Sequence, residues 1–159
     1  MSYLVFEHHN TKINQTDVYT IFHTWRNITT IQTDVIESIC DEIANLDSKI
    51  RFVGIIDTKG RLLAQNKNDK LNTILSIQEL ETLLAEIALW IRMERDHDEH
   101  FGAENFVISY GSKVISIIFP LHKEIVCVFT HNEINVVKTE NMIPIIATAI
   151  CTLLERGVK

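Results

Sequence analysis

Ser76 to Gly102 reads SIQELETLLAEIALWIRMERDHDEHFG. Ser76 and Glu79 form the Ser-x-x-Glu pattern of a capping box, in which each side chain satisfies the other residue's orphan backbone N–H. Leu80, Leu83, Leu84, Ile87, Ala88 and Ile91 then recur at the spacing of one buried helical face. No proline interrupts the run, and Gly102 is placed to end it. The pattern predicts a helix from Ile77 to about His100, roughly 36 Å long at 1.5 Å per residue, lying across a sheet. Trp90 and Met93 fall off the main stripe and widen the apolar surface toward a second partner.

The flanking segments define what that helix covers. Upstream, Ile36, Ile39, Cys40, Ile43 and Leu46 line one face of a helix with Thr33 as its expected N-cap and Asp34 at the positive dipole end. IRFVGIID (50–57) is rich in branched residues and reads as a mostly buried strand. Asp57-Thr58-Lys59-Gly60 is a tight turn, RLLAQN returns as a second strand, and NKNDKLN links it to the long helix.

Downstream, the periodicity becomes strand-like. NFVISY (105–110), KVISIIFP (113–120) and EIVCVFT (124–130) make a three-stranded meander, followed by a polar loop over 131–141. NMIPIIATAICTLLERG forms the last helix, with Pro144 expected in its first turn and Gly157 as its stop. Helix, two strands, long helix, three strands and helix make a three-layer domain of the α+β class, with five antiparallel strands covered by helices.

The first thirty residues are less regular. Tyr3 to Phe6 suits a short strand, the polar stretch after it a loop or hairpin, and Val18, Ile21, Phe22 and Trp25 a short helix capped by Thr16. The expected organisation is an N-terminal extension, 1–32, packed on a domain of 33–157 or exchanged between subunits.

Composition narrows the function. The chain has 159 residues, 46% hydrophobic and 23% charged, which suits one globular domain. A net charge of −6 argues against nucleic acid and against an anionic membrane surface. No apolar run approaches the roughly eighteen residues that span a bilayer, and the N-terminus lacks the pattern of a secretory signal. Cys40, Cys127 and Cys151 lie among apolar neighbours and read as buried, reduced thiols of a cytoplasmic protein.

Candidate chemistry is sparse. His97 and His100 are three apart on a helix, with Glu94 and Asp96 one turn back, so they are the candidate metal ligands; the simpler reading is a solvated helix end. His8-His9 is a surface pair or a further ligand source, and His122 and His131 sit at opposite ends of one strand. The cysteines lack a nearby cation that would activate them. Asp57 and Gly60 form a hairpin turn rather than a phosphate loop, since the five glycines make no phosphate-binding pattern. Trp25 and Trp90 suit core or interface better than ligand stacking. No cofactor and no catalytic residue is expected.

VGIIDTKGRLLAQN (53–66), the long amphipathic helix, FVISYGSKVISIIFP and IVCVFTHNEINVV, closed by the terminal helix, together resemble the roadblock/LC7 superfamily of profilin-like architecture. The resemblance covers about 125 residues, Thr33 to Gly157, and its α-β-β-α-β-β-β-α order implies the fold. The N-terminal extension and the charged helix end RMERDHDEH depart from the family pattern. The Asn- and Ile-rich texture is similar to that of small proteins from mesophilic ammonia-oxidising archaea.

Such domains are non-enzymatic scaffolds that typically homodimerise through the third strand and the long helix. They typically bind small GTPases or motor and signalling components. Carried onto this chain, the resemblance puts the dimer seam at Ile87, Trp90, Met93, Val107 and Ser109. A small-molecule sensor domain of PAS or GAF type, which also holds five antiparallel strands, is the alternative.

Overall fold

The computed structural model describes residues 6–8, 11–13, 15–28, 31–66, 74–132 and 136–157. Along these the chain forms β1 (Phe6–His8), β2 (Thr11–Ile13), α1 (Gln15–Arg26), α2 (Thr33–Ala44), β3 (Ile50–Asp57) and β4 (Leu62–Gln65). It continues with α3 (Ile77–Arg95), α4 (Asp98–Phe101), β5 (Val107–Tyr110), β6 (Val114–Pro120), β7 (Glu124–His131) and α5 (Val136–Gly157).

β3 to β7 make one antiparallel sheet in the order β4-β3-β7-β6-β5, so the meander and the first hairpin join along β3 and β7. β1 and β2 pair as a separate two-stranded hairpin. The architecture is the α+β arrangement expected, with five antiparallel strands between helical layers.

The sheet separates two apolar cores, because alternate side chains on a strand point to opposite faces. On one face Val53, Ile55, Ile115, Ile117, Phe119, Val126 and Val128 pack with residues of α1, α2 and α5. On the other, Phe52, Ile56, Ile118, Ile125, Cys127 and Phe129 lie under Leu84, Ala88 and Ile91 of α3. Phe52 and Phe129 stack there with centroids 5.6 Å apart.

The N-terminal region is tied into the larger core. Phe22 and Trp25 of α1 are buried, and Trp25 packs edge-on against Phe119 of β6 at 5.8 Å. Tyr3 to Val5 and His9 of the expected N-terminal features lie outside the described residues, as do 67–72 of the polar link.

Several boundaries differ from the sequence reading. Helix α1 begins at Gln15, so Thr16 lies inside it. Gln32 occupies the N-cap of α2 without a side-chain bond, and Thr33 is its first residue.

The helix expected to run to His100 stops at Arg95. A turn at Asp96 and His97 separates it from α4, and Gly102, at φ 79°, ends that short helix.

The largest difference is in α5, which starts at Val136 and takes up half of the expected loop. Pro144 is therefore inside the helix rather than in its first turn. An interior proline typically costs about 3 kcal/mol. The turns before it are anchored elsewhere: Thr139 and Met142 are buried, and Lys138 reaches Asp47 at 3.1 Å. By length and composition residues 137–157 could cross a membrane, but half of their apolar window is buried within the fold, the position of a core helix.

Candidate interaction surface

Helix α3 is fixed on its face of the sheet at three places. At its start Ser76 Oγ accepts from the Glu79 N–H, and Glu79 Oε2 accepts from the Ser76 N–H at 2.7 Å, the reciprocal pair expected. At its end Arg95 donates to the Leu121 carbonyl at 2.8 Å. Along one flank the β3–β4 turn presses against it. Gly60 has φ 86°, and a Cβ there would stand 2.5 Å from the Ala85 Cα. Only glycine permits both that dihedral and that approach.

The turn itself is organised by Asp57. Its Oδ1 accepts from the Lys59 and Arg61 N–H groups, both at 2.9 Å, and its Oδ2 meets Arg61 Nε at 2.8 Å. Burial pushes the Asp57 carboxyl up, but the bonds from Arg61 and Lys59 outweigh it and hold the group below its ordinary range. The chemistry is that of a hairpin lock.

Because Ala85 faces the β4 side, the opposite flank of α3 looks toward β5. Leu83, Ile87 and Trp90 share that flank at spacings of four and three. Ile87 is half-buried against the smaller core, whereas Trp90 is 41% and Met93 57% exposed. Below them, Val107 of β5 is half-buried and Ser109 is exposed, opposite Ser116 of β6. Two serines leave shallow relief where larger side chains would fill the face. Among the described residues β5 pairs only with β6 and is an edge of the sheet. The structure thus brings Ile87, Trp90, Met93, Val107 and Ser109 to one side of the molecule. Tyr110 and Leu89 are also about half exposed but point elsewhere: Tyr110 alternates with Ser109 to the α5 face of the sheet, and Leu89, one turn on from Ala85, lies on the β4 flank.

The other candidate residues fall elsewhere. His97 sits at the N-cap of α4 and His100 within it, both exposed, and the His97 ring meets Phe101 edge-on at 6.3 Å. Among the described residues, no three His, Cys, Asp or Glu side chains are grouped to hold a metal ion. His122 lies in the β6–β7 turn and His131 at the far end of β7.

All three cysteines are free and buried. Burial, with the charge of Asp41, pushes the Cys40 thiol up to about 12; burial, with Glu155, takes Cys151 to about 11. Burial raises Cys127 as well. Thiols so shifted are poor nucleophiles.

Comparison with known proteins adds the following. A family model described as a family of unknown function, DUF6659, matches residues 28–147. No curated protein matches the sequence. Among solved structures, MglB of Myxococcus xanthus superposes with a TM-score of 0.62 at 15% identity, covering 83% of this chain and 96% of that one. A roadblock/LC7 domain from Streptomyces avermitilis gives 0.54 at 8% identity, covering 76% and 92%. An MglB with a tetrameric arrangement gives 0.59 at 14% identity, covering 82% and 96%. At these identities the likeness is one of fold, and the fold is that of the roadblock/LC7 domains.

Proposed function

The chain belongs to DUF6659, a family of unknown function, and from that premise we propose that it is a non-enzymatic, self-associating interaction module that serves a small GTPase or a signalling complex. The observation that carries the reading is the open β5 edge beside the exposed flank of α3. An isologous contact needs one self-complementary patch. Antiparallel pairing of β5 with its copy would extend the sheet to ten strands, twice the five present. It would also bring the Trp90 and Met93 surfaces of two subunits together, aromatic and thioether groups of the kind enriched at interface centres.

The tetrameric arrangement of an MglB with this fold is consistent with such association. A GTPase or signalling partner is what the roadblock/LC7 resemblance implies.

Light scattering tests the assembly. A dimer is expected at micromolar concentration, and Trp90→Glu dissociates it. A wild-type chain still monomeric at about 100 μM overturns the arrangement. Affinity capture from the source cell tests the partner class: a GTPase retained by the wild type and lost in Trp90→Glu supports it, and a capture without any GTPase or signalling protein refutes it.

A further inference from the structure

At the end of α3 furthest from its capping box, the helix borders a cleft of about 310 Å³. The floor is apolar, made by the buried Ile91, Pro120 and Leu121. The rim carries the carboxylates of Glu94, Asp98 and Glu104. Among the described residues these carboxylates form no ion pair. Arg95, on the same wall, donates instead to the Leu121 carbonyl.

Glu104 shows the imbalance most clearly. Among the described residues its Oε2 has no hydrogen-bond partner and is shielded from solvent, while the residue as a whole is half-buried. Burial pushes its carboxyl above the usual range, and the charges of Glu94 and Asp98 push it the same way. A buried polar atom without a partner is costly and calls for an explanation. A cationic donor entering the cleft would supply the missing bond and relieve the crowding of like charge.

The shape selects among cations. Among the described residues the acidic groups do not gather around one point, as a metal ion would require. They stand around an apolar floor, the arrangement that suits a methylene stem ending in a charged head. Phe101, 86% exposed on the short helix that forms one wall, offers apolar contact to residues flanking that stem.

We propose that this cleft docks an arginine or lysine side chain from a protein partner, its stem on Ile91 and Leu121 and its head among Glu94, Asp98 and Glu104. The site needs no second copy of the chain, so it stands independently of self-association at β5.

The full chain is titrated with a fluorescein-labelled peptide of alternating leucine and arginine, followed by anisotropy. A matched peptide carries citrulline, which keeps the shape and removes the charge. The arginine peptide is expected to bind at least about tenfold more tightly than the citrulline peptide. The double substitution Glu94→Gln with Glu104→Gln, its fold checked by circular dichroism, weakens it by a similar factor. Glu81→Gln, on the far flank of α3, leaves binding unchanged.

Equal binding of the two peptides, or equal binding by the double variant, overturns the proposal. So does the absence of saturable binding at about 1 mM peptide. Displacement of the peptide by spermidine or calcium below the peptide's own dissociation constant assigns the cleft to a free cation and also overturns it.

Discussion

Asn66 and Val53 form a closed rung just beyond the end of β4. The Asn66 N–H donates to the Val53 carbonyl at 3.0 Å, and the Val53 N–H donates back to Asn66 Oδ1 at 2.7 Å. The asparagine side chain replaces the strand partner that β3 would lack there. Asn66 is buried, so removing the amide strands the Val53 donor. Asn66→Ala is expected to lose about 1–3 kcal/mol, read as a lower urea midpoint with an unchanged slope.

Gly60 and Gly102 both have positive φ but differ in their surroundings. Gly60 meets the α3 backbone at Ala85, whereas nothing lies within 4 Å of a Cβ at Gly102. Gly102→Ala therefore carries only the dihedral penalty, about 1–3 kcal/mol for a backbone at φ 79° and ψ 158°. Gly60→Ala adds a backbone collision and must move the hairpin away from α3. Its melting temperature is expected to fall several-fold further than that of Gly102→Ala.

Trp25 is fully buried, yet among the described residues its indole N–H has no partner. Trp25→Ala is expected to cost about 3–5 kcal/mol by opening a cavity. Trp25→Phe also removes the unsatisfied donor, which offsets part of the lost volume. Chemical denaturation should place it far closer to the wild type than to Trp25→Ala.

The shift of Glu104 fixes the sign of its pH dependence. A carboxyl raised in the folded state destabilises the fold when ionised, so its penalty is complete above the folded pKa. It declines as pH falls through that value, because the folded protein takes up the proton first. Glu104→Gln should raise the melting temperature at neutral pH, and the advantage over wild type should shrink in acid. A constant advantage across the pH range would contradict the assignment.

Native alkylation checks the thiols. Cys40, Cys127 and Cys151 are buried with raised pKa values, so iodoacetamide should label none at neutral pH until the chain unfolds. Intact mass measured along a denaturant series reads this directly.

How much of this the sequence discloses depends on the range of the interaction. The Ser76–Glu79 box and the Asp57 turn are local chemistry: the box is legible with both its partners, the turn as a turn, without the bonds that Asp57 makes to Lys59 and Arg61. IRFVGIID was also legible, because a strand buried on both faces reads as an unbroken apolar run. Gln32 carries no capping signal, because it caps α2 without a side-chain bond. The early start of α5 was hidden because local rules forbid Pro144 in a helix interior, and tertiary contacts at Lys138, Thr139 and Met142 override them.

The break at Asp96 had no residue to announce it, since RMERDHDEH contains neither glycine nor proline. The five residues assigned to the proposed seam rest on periodicity and resemblance. The acidic cleft is not legible that way, because Glu104 and Leu121 meet α3 only in three dimensions.

The two edges of the sheet are unequal. Register shifts between Ile55 and Ile56 opposite β4, so Leu63 is an extra residue in that strand, while β5 pairs with β6 without a slip. A bulged edge is twisted and a poor template for another strand; a regular one is open to pairing. On the proposed pairing, growth of the sheet through β5 would consume the regular edge of each copy and leave an irregular strand at both ends. That asymmetry would stop edge-to-edge addition at a pair and so guard against fibrils.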